Sequence, residues 1–220
     1  MSNFLINRIL NNTDIASFSH YVKIKNLKRY PDILWDKPDA VLKWVSILKN
    51  IEELNIKNST ICDIGSGRGV LSSLLCESND VVYAIDYDRV PTFAKNNLIS
   101  IKKSFLECDI QLNSVDLCID SCSITHFDTS FSDTIFNNGC YVSGQIIYNI
   151  LKSNGYFITS TDFCEKNDYG EFININNLIS IYEKCGLILI EKLSKNFINS
   201  FEIEYNHMIL NIGTLIFQKK

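Results

Sequence analysis

The residues best placed to do chemistry lie in one short run, Ile61-Cys62-Asp63-Ile64-Gly65-Ser66-Gly67-Arg68-Gly69-Val70-Leu71. Glycines at alternate positions permit positive φ and let a ligand approach the backbone with no Cβ in the way. A dinucleotide fingerprint would place a glycine at position 70, where this chain has Val70. Asp63, two residues before the first glycine, would repel a pyrophosphate and suits a ligand carrying positive charge. Asp86 closes the apolar run Val82-Tyr83-Ala84-Ile85, and a carboxylate there can accept hydrogen bonds from both hydroxyls of a ribose. Further along, Asp120-Ser121-Cys122-Ser123-Ile124-Thr125-His126-Phe127-Asp128 brings together groups able to move a proton. His126 is the first candidate base because imidazole titrates near neutrality, and Asp120 is the second.

The elements that must position these residues follow from periodicity. Residues 1–36 read as irregular, with aromatics scattered among polar groups. From Pro38, Val41, Trp44, Val45, Leu48 and Ile51 mark one buried helical face, with Asp36 as cap and Pro38 in the first turn. Strands are predicted at Thr60–Ile64, Val81–Ile85, Ser104–Cys108, Val115–Ile119 and Tyr156–Ser160. Helices are predicted over about 70–77, Val90–Ile101 and about 139–152, and through Ile175, Leu178, Ile179, Tyr182 and Cys185 to a stop at Gly186. Leu187–Leu193 and Met208–Phe217 are strand-like with no helix between them, which predicts an antiparallel edge. Alternating strands and helices imply βαβ crossovers and a mostly parallel sheet.

Asp63 to Gly69 resembles the first motif of the class I methyltransferases that use S-adenosylmethionine (SAM), a ligand with both an ammonium and a sulfonium. Asp86 matches that family's acidic residue on the second strand, and Cys108-Asp109-Ile110 is placed like its next motif. Asp116-Leu117-Cys118-Ile119-Asp120-Ser121 is similar to the fourth-strand motif beside the methyl group. Leu151-Lys152-Ser153-Asn154-Gly155-Tyr156 resembles a later strand start, with Ser153 and Asn154 where the family has Pro and Gly. The resemblance spans roughly residues 38–217. It implies an α/β, Rossmann-like sheet of seven mostly parallel strands with a reversed last strand and helices on both faces. It also implies SAM as cofactor, S-adenosylhomocysteine as product, and no metal. Asp63, Gly65, Ser66, Gly67 and Ser121 would then hold the cofactor with Asp86, while Tyr87, Asp109 and Ile110 would meet its adenine, Asp109 at the amino group. Residues 1–37 would form a cap over the domain of residues 38–220, bringing Arg29, Tyr30 and Trp35 to the methyl acceptor, Arg29 facing an anionic one.

Composition narrows the classes further. A chain of 220 residues with 46% hydrophobic residues supports one well-cored domain. A net charge of -4 gives no footprint for nucleic acid, and no apolar run is long enough to cross a bilayer. The eight cysteines include no C-x-x-C pair, so reduced thiols in the cytoplasm are expected rather than zinc or disulfides. Cys140 and Tyr141 read as packing, and His207 as structural. The expected function is methyl transfer to oxygen or nitrogen of a small molecule, by family analogy in surface-polysaccharide or natural-product tailoring. The alternatives are a non-catalytic SAM or nucleoside binder and a nucleic-acid methyltransferase. The last is disfavoured because Asp120-Ser121-Cys122-Ser123 stands where an Asp/Asn-Pro-Pro-Tyr/Phe motif would be. A nicotinamide-dependent reductase is disfavoured by Val70.

Overall fold

The computed structural model describes residues 7–127, 136–164, 173–191, 200–205 and 208–220. The chain runs β1 (Arg8–Ile9), α1 (Asn12–Ile24), two 3-10 turns (Leu27–Arg29 and Ile33–Asp36) and α2 (Pro38–Glu53). There follow β2 (Thr60–Ile64), α3 (Val70–Leu75), β3 (Val81–Asp86), β4 (Leu98–Lys102) and β5 (Val115–Ser121). The last elements are α4 (Phe136–Ile150), β6 (Leu151–Phe163), α5 (Ile175–Lys184), β7 (Leu187–Leu189), β8 (Glu202–Tyr205) and β9 (Met208–Lys219). No helix among the described residues is long and apolar enough to cross a membrane.

The sheet order is β1-β9-β6-β5-β2-β3-β4, with β6 to β4 parallel and β9 reversed against β6. The strand count is nine rather than seven, because the outer side of β9 is covered in pieces. β7 pairs at residues 217–219, β1 at 213–214 and β8 at 208–211. Three short antiparallel segments thus do the work of one edge strand.

Side chains alternate between faces, and each face has its own core. Ile61, Leu117, Ile119, Ile158 and Ile216 join α1, α2 and α3 on one side. Cys62, Cys118, Phe157, Leu215 and Phe217 join α4 and α5 on the other. Asp63 shares the first face with Ile61, and Asp120 the second with Cys118.

Four further predictions are corrected. Asp36 does not cap α2: Lys37 stands at that position with no side-chain hydrogen bond, and Asp36 ends the preceding 3-10 turn. Residues 1–36 are not irregular: Asn11 and Asp14 form a capping box, and Phe18 and Val22 bury one side of α1. Val90–Ile101 is not a helix, and Ser104–Cys108 is not a strand. The strand lies earlier, at β4, and Phe105–Glu107 is a 3-10 turn. Tertiary contacts override the helical spacing here. The Thr92 N–H donates to the Arg68 carbonyl at 2.9 Å, and Pro91 packs so closely on Gly69 that a Cβ there would come within 2.5 Å. The Asn97 amide donates to the Cys76 and Asn79 carbonyls at 2.8 and 2.7 Å, holding the segment extended before it joins β3.

Candidate functional site

β2 is flanked by β3 on one side and β5 on the other, so the strand order reverses beside it. In open parallel sheets a crevice forms beyond the carboxyl ends at that point. Here it is a cavity of about 500 Å³ lined by Asp63, the Gly65-Ser66-Gly67-Arg68 turn, Asp86 to Arg89, Ser121 and Ser123. Asp32, Ile33, Leu34 and Trp44 close it from the amino-terminal side. A second cavity of about 540 Å³ shares Gly65, Asp86, Tyr87 and Ser123 with the first. It continues over Ser104, Phe105, Leu106, Cys122, His126 and Phe127.

The glycine turn is tied to its neighbours. Gly65, Gly67 and Gly69 have φ of 65°, 56° and 73°, which side chains other than glycine rarely adopt. The Gly67 N–H donates to Asp86 at 3.0 Å, and Asp86 also accepts from the Asp88 and Arg89 N–H groups at 3.0 and 2.8 Å. The two turns are therefore locked through one carboxylate. A Cβ on Gly67 would meet nothing within 4 Å, so its open side faces the cavity. Gly65 differs: a Cβ there would lie 2.1 Å from the Ser123 hydroxyl, which donates to the Gly65 carbonyl.

Two polar groups in this cavity are left in unusual states. The Ser66 hydroxyl is buried and makes no hydrogen bond among the described residues. Asp63, 2% exposed, accepts from the Ser72 hydroxyl, yet burial pushes its carboxyl from 3.8 up to about 7, with Asp120 and Asp86 adding repulsion. Both would be better satisfied by a polar, cationic ligand than by an empty crevice.

Asp120 is fully buried and lines neither cavity. It accepts from the Ser123 and Ile124 N–H groups at 2.8 and 3.1 Å and from the Thr159 hydroxyl at 2.8 Å. Burial nonetheless raises its carboxyl above the usual range. This is the geometry of a group that holds a turn, not of a base in contact with an acceptor. His126 is exposed, lines the second cavity, and sets its Nε2 3.9 Å from the Cys122 sulfur. Asp128 and His207 lie outside the described residues.

Tyr87 is 77% exposed and lines both cavities, and Ser121 lines the first. Asp109 is exposed and lines neither, while Ile110 is buried in the core beneath. With β4 ending at Lys102, the turn that reaches the second cavity is Ser104–Leu106 instead. Arg29, Tyr30 and Trp35 also line neither cavity. Arg29 forms a two-pronged ion pair with Glu77, which also accepts from the Tyr30 hydroxyl at 2.9 Å. Trp35 donates to the Tyr30 carbonyl at 2.9 Å and packs edge-on against Trp44, which does line the first cavity. The residues before Pro38 that reach the site are therefore Asp32, Ile33 and Leu34. Asp32 accepts from the Leu34 N–H at 2.9 Å, an Asx-turn pattern readable before Pro38.

No protein-family profile and no curated protein matches the chain. Its fold is nonetheless similar to many solved structures. The 1,6-didemethyltoxoflavin-N1-methyltransferase of Burkholderia thailandensis is 13% identical, over 94% of this chain and 90% of that one, with a TM-score of 0.58. The N-methyltransferase NodS of Bradyrhizobium japonicum is 12% identical, over 84% and 98%, with a TM-score of 0.61. The (4+2)-cyclase SpnF is 9% identical, over 79% of each, with a TM-score of 0.58. The chain has the class I methyltransferase fold. That a cyclase shares this fold means the chemistry must be argued from the site.

Proposed function

We propose that this chain is a SAM-dependent methyltransferase acting on an oxygen or nitrogen of a small-molecule acceptor. The observation that carries the proposal is the pairing of buried Asp63 with Asp86 across one cavity at the switch point, with a Ser66 hydroxyl between the glycines that has no partner among the described residues. When bound, SAM supplies an electrophilic methyl carbon on a sulfonium. Asp63 would face its ammonium, which favours the ionised carboxylate that burial alone resists. The Ser66 hydroxyl and the Gly67 side of the turn would meet its amino-acid end. Asp86 would accept from the ribose hydroxyls, and Tyr87 and the Ser104–Leu106 turn would flank the adenine. The known structures crystallised with the demethylated product, such as the toxoflavin enzyme, support this choice of ligand.

On the acceptor side, His126 takes the proton of a hydroxyl or of a methylated amine, and Asp120 holds the turn from which His126 projects. Residues 1–37 serve as a cap through Asp32, Ile33 and Leu34. The test is transfer of a deuterated methyl group from SAM into the low-mass metabolite fraction of cells, followed by mass spectrometry. Label appearing in a low-mass product supports the proposal. Label entering only macromolecules would transfer it to another substrate class, and bound SAM with no label anywhere would make the chain a non-catalytic binder.

A further inference from the structure

The cations on the amino-terminal side of the crevice are engaged elsewhere. Arg29 is held by Glu77, Lys28 donates to Asp36 at 3.0 Å, and Lys25 donates to Glu52 at 2.8 Å. Lys43, next to Trp44 on α2, has a side chain only 8% exposed and donates to Asp162 at 2.8 Å. The same Asp162 oxygen also accepts from the Cys122 S–H at 3.3 Å. What this wall presents to the first cavity is the opposite charge: Asp32, with Ile33, Leu34 and Trp44.

Asp32 is half-buried, and one of its carboxylate oxygens is fixed by the Leu34 N–H at 2.9 Å. The other oxygen makes no hydrogen bond or ion pair among the described residues. An oriented carboxylate that lines a cavity and has no cation of its own is a receptor for a cation. The second cavity has a compatible character. Its lining includes the rings of Tyr87, Phe105 and Phe127, with His126 as its titratable nitrogen, and no lysine or arginine. Aromatic walls attract an ammonium, whereas a phosphate or carboxylate would find no counter-charge there. The guanidiniums of the first cavity, Arg68 and Arg89, belong to the glycine turn and the turn after Asp86, on the side given above to the cofactor.

We infer that the methyl acceptor is an amine, cationic in solution, and that Asp32 is the residue that selects it. This rests on the methyltransferase proposal above, in which SAM occupies Asp63 and Asp86 and leaves Asp32 as the carboxylate of the amino-terminal wall. The arriving ammonium donates to Asp32, and one of its protons passes to His126, which frees the nitrogen's electron pair. The nitrogen–methyl bond then forms as the carbon–sulfur bond breaks, with that bond's electron pair returning to sulfur. The product is again an ammonium, and His126 releases its proton to water. An anionic acceptor would meet Asp32 with like charge, so the same carboxylate that admits the amine rejects the acid.

The test incubates the full chain with deuterated-methyl SAM and the low-mass fraction of a cell extract, then separates labelled products by cation exchange at pH 5 before mass spectrometry. Label is expected in products the exchanger retains, because a methylated amine keeps its positive charge. Asp32→Asn still accepts from the Leu34 N–H, yet should label about tenfold more slowly at limiting extract, with SAM affinity by calorimetry within about twofold of wild type. Asp32→Glu restores the charge and should recover part of the rate. Label confined to neutral or acidic products, or an Asp32→Asn chain that labels at the wild-type rate, overturns the inference and leaves methyl transfer itself standing. An Asp32→Asn chain that loses SAM affinity assigns Asp32 to the cofactor and equally overturns its role as selector. A wild-type chain that binds no SAM defeats the methyltransferase proposal, and the amine inference falls with it.

Discussion

Asp63 offers the sharpest perturbation, because its environment converts directly into a pH dependence. Its carboxyl titrates at about 7 in the folded chain against 3.8 ordinarily, chiefly through burial. An acid whose folded value is raised keeps its proton in the fold while the unfolded chain releases it. Stability is therefore complete below pH 4 on this account and falls as pH rises from about 4 to about 7, with no further loss above. Three pKa units correspond to about 4 kcal/mol at most. Partial relaxation of the site reduces this, and about 2 kcal/mol is the expected difference. Asp63→Asn keeps the shape and still accepts from the Ser72 hydroxyl, but has no charge to bury. Urea unfolding of both chains at pH 5 and pH 8 measures the effect. The wild type should lose stability between these values relative to Asp63→Asn, while the variant binds SAM at least about tenfold more weakly because the ammonium loses its counter-charge. Parallel stability curves for the two chains would refute the burial argument.

The remaining predictions concern the turns around that carboxyl. Gly65→Ala should destabilise through contact with Ser123, and adding Ser123→Gly should restore part of the loss, which a double-mutant cycle in thermal unfolding would register. Gly67→Ala meets no neighbour, so its stability cost should be only about 1 kcal/mol of backbone strain, while SAM binding falls because the new methyl enters the cavity. Asp120→Ala leaves the Ser123 and Ile124 N–H groups and the Thr159 hydroxyl without their acceptor, and should cost about 2–3 kcal/mol in chemical unfolding. Arg29→Ala removes a partly exposed pair with Glu77, and should leave SAM affinity unchanged with a loss below about 1 kcal/mol.

Much of the cofactor side is readable from the sequence because its logic is local. Strand, alternating glycines and helix follow one another between Thr60 and Leu75, and Asp86 ends the next strand in register beside it. What escapes is set by distant partners. Leu98, Ile99 and Ile101 are apolar enough for the predicted helix, and parallel pairing with β3 makes them a strand, with Pro91 on Gly69 and Asn97 on Cys76 and Asn79 holding the approach to it. That shift moves the cavity-lining turn from Asp109 to Ser104. Arg29 and Tyr30 carry the types suited to an acceptor, but Glu77 draws them elsewhere. The composite edge on β9 joins segments from both ends of the chain, and no local pattern announces it. The grouping of Lys43, Cys122 and Asp162 is likewise visible only once α2, β5 and β6 are packed together.

Isothermal titration with SAM and S-adenosylhomocysteine, run beside Asp86→Ala, decides whether the crevice at the glycine turn holds the cofactor. Saturable one-to-one binding of both ligands is expected, with about tenfold or greater weakening in Asp86→Ala with its fold intact. Absence of heat from either ligand at high micromolar concentration, or an Asp86→Ala chain that binds as tightly as the wild type, would contradict it.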